Sequence, residues 1–320
     1  MHRTSRQSII EVKNLKKYFN EGKRDEVRAV DDVSFNIYEG ETFGLVGESG
    51  SGKSTTGRTL IKLENITDGE ILFRGENIED IRSRKDTLEF RKAVQMIFQD
   101  PYASLNPRLT VSDTIRGALE VHKIGKSRQD RNKLVNDLLT SVGLSPAFAN
   151  RYPKELSGGQ NQRVGIARAL AVSPDLVIAD EAISALDVSI QAQVVNLLID
   201  LKERLNLTYL FIAHDLSMVR FISDRIGVMN SGKLLEIAPA NELYKAPLHP
   251  YTESLLSAIP VADPEEERHR SRIEYDRQTH MYENTEGVRM HEIAPEHFVY
   301  CSEEEVDPYK IKYEQLMAKA

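Results

Sequence analysis

The sequence predicts an α/β protein with a parallel β-sheet, and three observations lead to this class. A glycine-rich stretch with a Lys-Ser pair, at residues 47–55, stands between an apolar run of strand length and a helical segment. Further apolar runs of strand length each end in a polar residue. The segments between them repeat apolar residues at helical spacing. Alternating strands and helices are typical of domains with a parallel sheet.

Residues 47–55 fit the phosphate-binding pattern G-x-x-x-x-G-K-[ST]. The glycines allow a tight turn, and the backbone N–H groups and the positive end of the following helix then face an anion. We expect Lys53 to reach the β- and γ-phosphates and Ser54 to offer its hydroxyl to Mg²⁺. A Gly/Ser-rich surface turn is the alternative, but the Lys-Ser pair and the preceding strand favour a nucleotide site. The predicted ATP-binding residues of the loop are Gly47, Glu48, Ser49, Gly50, Ser51, Gly52, Lys53, Ser54 and Thr55.

Composition limits the class of protein. The 320 residues allow one large or two modest domains, and the 40% apolar fraction is enough for a sizeable core. A net charge of −7 gives no indication of a nucleic-acid partner. Cys301 is the single cysteine, so an internal disulfide is excluded and a reducing compartment fits. No apolar run approaches the roughly 18 residues of a membrane span, and no signal peptide is evident, so we expect a soluble chain that reaches a membrane through a partner.

Short β-rich runs predict the strands, at residues 9–12, 30–37, 43–46, 69–73, 94–98, 176–179 and 209–213. Runs at 226–229 and 233–237 flank an Asn-Ser-Gly turn and predict a β-hairpin. Between the strands at 94–98 and 176–179 we predict an inserted helical subdomain, at about residues 100–165. Its apolar residues at helical spacing are Val111, Ile115, Leu119, Leu134, Leu138 and Leu139. A long helix after Asp187 is predicted from the stripe Ile190, Val194, Val195, Leu197, Leu198, Leu201 and Leu205.

Polar residues end several of the predicted strands. Gln99 follows the strand at 94–98, Asp180 and Glu181 follow the strand at 176–179, and His214 follows the strand at 209–213. Each is weak evidence alone, but together with the loop they indicate a shared site at the carboxyl edge of the sheet. We expect Ser54, Gln99 and Asp180 to hold Mg²⁺, and Glu181 to act as base or orienter for an attacking water.

Two further features suit a nucleotide. Ser157, Gly158, Gly159 and Gln160 open a predicted helix whose first N–H groups could face an anion. A plain N-cap by Ser157 is the alternative, although a cap needs no Gly-Gly-Gln after it. Phe19 is a candidate platform for stacking a base, with neighbouring Tyr18 as the other choice. Composition alone favours an ordinary core aromatic at that position.

In this order, the motifs resemble those of the nucleotide-binding subunits of ATP-binding cassette (ABC) transporters, over roughly residues 9–240. The resemblance implies a P-loop NTPase core with an antiparallel β-subdomain, an inserted helical subdomain and a short C-terminal appendage. It implies that the signature turn, Ser157 to Gln160, acts on the ATP of a partner subunit. The residues that match the remaining motifs are Gln99 (Q-loop), Asp180 (Walker B), Glu181 (catalytic glutamate), Asp187 (D-loop), His214 (switch histidine) and Phe19 (adenine-stacking aromatic).

A narrower resemblance is to oligopeptide and dipeptide import ATPases. It rests on the sequences of residues 99–107, 187–193, 249–252 and 258–260. It implies a peripheral subunit at the cytoplasmic face of the cell membrane that hydrolyses ATP to drive peptide import. The implied partners are a second ABC ATPase in a heterodimer, two integral membrane subunits and, indirectly, an external peptide-binding protein. We predict an ATP-binding domain at 9–260 and a tail of the oligopeptide-permease type at 261–320.

The chain departs from the family at a few positions. Ala182-Ile183 and Asn161 replace commoner residues without removing a ligand. Many relatives carry a cysteine-rich tail, but Cys301 stands alone here, so we expect no iron–sulfur cluster. The tail histidines lack the spacing of a compact metal site; they are His269, His280, His291 and His297.

Three alternative functions remain open at this stage. The same ATPase could serve the import of dipeptides, nickel chelates or glutathione, because the ATPases of these systems share the same sequence motifs. An ABC protein outside transport usually carries long coiled coils or two cassettes, and neither is found here. Glu181 and His214 argue against a module that binds ATP without turnover.

Overall fold

The structure is a computed structural model that describes residues 6–259, 272–276, 282 and 287–319. The strands are β1 (Ser8–Phe19), β2 (Val27–Tyr38), β3 (Thr42–Val46), β4 (Asp68–Phe73), β5 (Glu76–Asn77), β6 (Val94–Ile97), β7 (Leu176–Asp180), β8 (Thr208–Ala213), β9 (Arg225–Asn230), β10 (Lys233–Pro239), β11 (Arg289–Ala294) and β12 (His297–Cys301). The α-helices are α1 (Lys53–Leu60), α2 (Arg84–Ala93), α3 (Val111–Val121), α4 (Arg128–Ser141), α5 (Gly158–Leu170), α6 (Val188–Leu205), α7 (Leu216–Ile222), α8 (Ala240–Lys245), α9 (Pro250–Ser257) and α10 (Val306–Met317).

The larger sheet positions the polar strand ends. Its strand order is β11-β12-β10-β9-β3-β8-β7-β6, in which β9, β3, β8, β7 and β6 run parallel. Every residue of β3, β7, β8 and β9 is buried, as expected for parallel strands covered on both faces. Because parallel strands end at the same edge, the segments that follow β3, β6, β7 and β8 come together there. The predicted α/β fold with a parallel sheet is confirmed.

A smaller antiparallel sheet, with strand order β2-β1-β4-β5, packs on the same core. Its buried residues share one apolar cluster with β3 and α1. The rings of Phe35 and Phe43 stack across this contact, with centroids 5.1 Å apart. The predicted antiparallel β-subdomain is confirmed, and its first strand ends at Phe19.

Helices α3, α4 and α5 form the insertion between β6 and β7. Thr110, Ser127 and Ser157 cap their N-termini with side-chain oxygens. The spacing predicted for α3 is confirmed, since its buried residues are Val111, Ile115 and Leu119.

The predicted apolar residues of α4 and α6 are buried to different extents. In α4 the buried residues are Val135 and Leu139, whereas Leu134 and Leu138 are half-buried. In α6, Leu205 is 53% exposed. The reason is a cavity of about 650 Å³ between α4 and the amino edge of the sheet, which these three half-buried or exposed leucines line.

The C-terminal part of the chain extends the main sheet. The hairpin of β11 and β12 pairs with β10, and α10 packs beside it. We predicted no strands there. Cys301 is a free cysteine in the small apolar core of this region, and burial raises the pKa of its thiol to about 12.

Two features are missing from the described residues. No helix there is long and apolar enough to cross a membrane. No group of three or more His, Cys, Asp or Glu side chains there could hold a metal ion. Two of the four tail histidines, His269 and His280, lie outside the described residues.

Candidate functional site

The loop after β3 packs so closely on its neighbours that it requires glycine at two positions. A Cβ atom on Gly47 would lie 2.1 Å from the carbonyl oxygen of Met229, and one on Gly52 would lie 2.1 Å from that of Ala29. Gly52 also has φ 104°, a conformation that L-residues rarely adopt. The exposed residues of the loop are Glu48, Ser49 and Gly50, and the half-buried ones are Gly52, Ser54 and Thr55.

Lys53, the first residue of α1, folds back over this loop. Its Nζ donates to the carbonyl oxygens of Gly47 and Glu48, each at 2.8 Å, and the residue is only 3% exposed. Burial lowers the pKa of Lys53, and the carboxylates of Glu181 and Asp180 act in the opposite direction. The loop therefore presents a fixed cation at the N-terminus of a helix, an arrangement that suits an anionic ligand.

Asp180 ends β7 beside the start of α1. It is 1% exposed and accepts a hydrogen bond of 2.6 Å from the hydroxyl of Ser54. Burial raises the pKa of Asp180, while the Ser54 hydrogen bond and the Arg58 guanidinium, 3.9 Å away, oppose that rise. A hydroxyl and a carboxylate at contact distance are oxygen donors of the kind that Mg²⁺ prefers.

The side chains predicted to be catalytic meet around one oxygen of Glu181. Gln99 donates from Nε2 to Glu181 Oε2 at 2.7 Å, and Nδ1 of His214 lies 3.9 Å from the same oxygen. The backbone of Glu181 has φ 46°, in the left-handed region. Its N–H donates to the carbonyl of Ile212 in β8, and the hydroxyl of Ser184 donates to its carbonyl. These bonds hold Glu181 in an uncommon conformation at the edge of the sheet.

Phe19 lies at the end of β1 with 37% of its surface exposed. The Nζ of Lys17 is 4.7 Å from its ring centroid. Tyr18, the other candidate, donates from its hydroxyl to Asp31 at 2.6 Å and is half-buried. The paired strand β2 carries Ala29, against which the phosphate loop packs. The end of β1 is therefore near the loop, and the exposed ring is the one of Phe19.

The predicted signature turn begins α5. Ser157 Oγ accepts from the N–H of Gln160 at 3.3 Å, and Gln160 Oε1 accepts from the N–H of Ser157 at 3.0 Å. This capping box leaves the N–H groups of Gly158 and Gly159 without an acceptor inside the helix. The departure at Asn161 has a structural role, since this buried amide donates to the carbonyls of Pro153 and Leu156 and so ties the preceding turn to α5.

The signature turn lies beside the start of α6. A Cβ atom on Gly159 would lie 2.6 Å from Cγ2 of Ile190, and one on Gly158 would lie 3.6 Å from Leu186. Asp187 is the N-cap residue of α6 and is exposed. The structure therefore brings the predicted signature and D-loop together. The side-chain hydrogen bonds of Ser157 and Gln160 stay within their own turn in the described part of the chain.

Sequence reasoning missed two contacts that hold the phosphate loop. The N–H of Gly232, in the β9–β10 turn, donates to the carbonyl of Ser51 at 3.0 Å. The hydroxyl of Tyr251, in α9, accepts from the N–H of Glu48 at 3.2 Å. The sequence at residues 249–252 is typical of the family, but no local signal connects it to a loop about two hundred positions earlier.

Comparison with protein families gives two matches. A model described as ABC transporter matches residues 30–184. A second, described as the C-terminal region of oligopeptide/dipeptide transporters, matches residues 235–285. The two matches account for most of the cassette and for the region around α9.

Similar curated proteins extend over nearly the whole chain. The oligopeptide transport ATP-binding protein OppF of Bacillus subtilis (strain 168) is 60% identical over 299 residues, which are 93% of this chain and 98% of that protein. OppF of Streptococcus mutans is 57% identical, covering 96% of this chain and 99% of that protein. The dipeptide transport ATP-binding protein DppF of Lactococcus lactis is 53% identical, with 96% and 98% covered.

Among solved structures, the cassette MJ0796 is similar in fold. Its dimeric post-hydrolysis state, bound to ADP and Pi, matches with a TM-score of 0.65 at 31% identity, covering 72% of this chain and 98% of that one. A further dimeric structure of MJ0796, described as a bacterial ABC transporter cassette, gives the same TM-score at 32% identity.

The close packing of the loop predicts unequal effects of two glycine substitutions. Gly52→Ala should destabilise the protein strongly, because its Cβ would clash with a backbone carbonyl in addition to the conformational strain. Gly50→Ala is the matched control, since Gly50 also has a positive φ but has no atom within 4 Å of an added Cβ. It should cost only about 1–2 kcal/mol of strain. Urea denaturation of both variants measures the difference, and equal losses would contradict the described packing.

Proposed function

Because the chain belongs to the ABC transporter family, and within it to the oligopeptide and dipeptide transport ATP-binding proteins, we propose that it is the subunit whose ATP hydrolysis drives the import of oligopeptides. The matches to this family confirm two predictions from the sequence, the ABC family and the ATPase activity. The observation that carries the proposal is the convergence of Lys53, Asp180, Glu181, Gln99 and His214 at one sheet edge, in a chain that covers 98% of an oligopeptide transport relative.

We propose that Mg²⁺ accompanies the nucleotide and is held by Ser54, Gln99 and Asp180. Ser54, which is half-buried, and Asp180, which is buried, already form a hydrogen-bonded pair of oxygen donors, which fits a hard cation. When bound, the ion would neutralise charge on the phosphates. The neighbouring Lys53 offers a second positive charge, and Phe19 offers an exposed ring for the adenine.

Glu181 is the proposed base that polarises the attacking water. Its oxygen is oriented by Gln99 and faces His214, so a water placed there would meet an acceptor and a donor together. Gln99 lies two residues after the end of β6 in the larger sheet and precedes the inserted helices. A change in its bond to Glu181 could therefore be transmitted to that insertion.

The proposed working unit is a dimer with a second ABC ATPase. The N–H groups of Gly158 and Gly159, which have no acceptor inside α5, lie beside the start of α6. Such a turn would complete a site on another subunit, where donors from both sides stabilise the γ-phosphate. MJ0796 is described as dimeric, which supports this arrangement. The existence of two distinct ATPases in peptide permeases favours a heterodimer.

Docking on two integral membrane subunits would place the protein at the cytoplasmic face of the membrane. We propose that the seat is a groove of about 330 Å³ between α2, β6 and the inserted helices. Phe98 and Leu63 line it and are 36% and 55% exposed. It lies next to Gln99, which links the groove to the hydrolytic site. An external peptide-binding protein would act on the membrane subunits and not on this chain.

Import of dipeptides is the second candidate substrate class, since a dipeptide transport protein is among the close relatives. We also propose the domain division at 9–260 and 261–320. The two parts share the larger sheet, because β12 of the second part pairs with β10 of the first. The C-terminal family match begins at residue 235, inside β10.

Replacing Lys53 tests nucleotide binding at the loop. Lys53→Ala removes a charged donor to the phosphates and should weaken ATP binding by at least about 10- to 100-fold. The measurement is a titration with a fluorescent ATP analogue. Lys62→Ala is the matched control, because the Nζ of Lys62 also donates to backbone carbonyls but at Ile78 and Ile81. Near-normal affinity in Lys53→Ala would remove the assignment of the loop.

Replacing Glu181 tests the hydrolytic step. Glu181→Gln keeps the size of the side chain and an oxygen that can accept from Gln99, but it removes the base. Turnover of the assembled complex should fall by about 10²- to 10⁴-fold while ATP binding persists. Glu203→Gln, an exposed carboxylate on α6, is the control. A normal rate in Glu181→Gln would show that another group activates the water.

Replacing Ser157 tests the dimer. Ser157→Arg would put a bulky charge against the nucleotide of the partner and should impair hydrolysis there, while ATP binding to the isolated chain stays near normal. Ser127→Arg is the matched control, because Ser127 forms the same capping box at the start of α4. Both lose a cap of about 1 kcal/mol, so only Ser157→Arg should reduce hydrolysis. If Ser157→Arg weakens monomer binding as much as Lys53→Ala, the signature acts on its own ATP.

A further inference from the structure

We propose that Tyr251 is a positioning residue for the phosphate loop, and that the C-terminal segment (residues 287–319) holds Tyr251 in place. A continuous path of hydrogen bonds runs from β12 to Glu48. This inference rests on the proposed binding of ATP at the loop. It means that the C-terminal segment influences the affinity of the loop for nucleotide.

The path ends at the backbone of Glu48. Tyr251 is 2% exposed, and its hydroxyl accepts from the Glu48 N–H at 3.2 Å. The carbonyl of the same residue accepts from Lys53 Nζ at 2.8 Å and from the N–H of Ser51 at 3.2 Å. Both backbone groups of Glu48 are therefore engaged. A shift of Tyr251 would move the residue that helps to place the Lys53 ammonium.

The direction of Tyr251 is set by the first turn of α9. His249 is the N-cap residue, and its Nδ1 accepts from the N–H of Tyr251 at 3.1 Å. Pro250 occupies the first helical position, where its fixed φ suits the start of a helix. The ring of Tyr275, in the described segment 272–276, packs edge-on against Tyr251 with centroids 5.2 Å apart.

The start of α9 is in turn held by a buried carboxylate of β10. Glu236 is fully buried and accepts from the N–H groups of Leu248 at 2.9 Å and His249 at 3.0 Å. His297 of β12, also fully buried, places its Nε2 2.7 Å from Glu236 Oε1. A buried carboxylate must be paired to be tolerated, so the hairpin of β11 and β12 secures the residue that fixes α9.

The contact can be tested by removing one oxygen atom. In Tyr251→Phe the ring and its packing stay, and the acceptor for the Glu48 N–H is lost. For the full chain we expect the dissociation constant of a fluorescent ATP analogue to rise roughly 2- to 10-fold, the effect of one neutral hydrogen bond. Amide exchange in a peptide that spans residues 47–52 should become faster.

Tyr313→Phe is the matched control. It also loses a tyrosine hydroxyl, but that hydroxyl donates to Glu242 and does not lie on the path to the loop. The ring of residue 313, which packs edge-on against His297, is kept. Its nucleotide affinity and its loop exchange should equal those of the unmodified chain.

Kinetics of the assembled complex separate positioning from general damage. A displaced loop should raise KM for ATP and leave kcat near normal, whereas partial unfolding lowers kcat at constant KM. Unchanged affinity and exchange in Tyr251→Phe would overturn the inference, as would equal losses in Tyr313→Phe. Lys53→Ala distinguishes a failure of the proposed function from a failure of this inference. If it binds ATP normally, the proposed function fails; if it does not and Tyr251→Phe is normal, only this inference fails.

Discussion

Complete burial of the central parallel strands is the constraint on which the site depends. In β3, β7 and β8 every residue is inaccessible, so each backbone N–H and C=O group must be paired with a neighbouring strand. That pairing fixes the register, and the register fixes where the strands end. Asp180 lies opposite Ile212 in β8, and Val46 lies opposite Ala213, so the loop, the two acids and His214 begin at one level of the sheet.

The charged side chains at this edge of the sheet stabilise one another. Lys53 is buried between the loop carbonyls, and Asp180 and Glu181 oppose the tendency of burial to neutralise it. Asp180, raised in pKa by burial, is in turn stabilised in its ionised form by Ser54 and Arg58. Polar groups that satisfy one another hold a single arrangement, and an incoming phosphate would meet donors that are already oriented.

The sequence predicted those parts of the fold that have a local signal. Strands of the parallel core are short apolar runs, the phosphate loop has its own pattern, and Ser157 is followed by Gly-Gly-Gln. The predicted apolar residues of α4 and α6 are unequally buried because a cavity leaves Leu134, Leu138 and Leu205 incompletely covered. The hairpin of β11 and β12 was missed because β11 is largely accessible and has no apolar run. The pairing of Glu236 with His297 joins positions 61 residues apart, and no spacing rule covers such a contact.

Elements from several parts of the chain contact the phosphate loop, some through backbone atoms and one through a side chain. Ala29 of the antiparallel sheet and Gly232 of the β9–β10 turn touch it through backbone atoms, which most side-chain substitutions leave unchanged. Tyr251 touches it through a side chain, at the end of a path that depends on the buried contact between Glu236 and His297 of the C-terminal hairpin. The side-chain contact can vary between proteins, and it makes the phosphate loop of this chain responsive to the packing of its C-terminal segment.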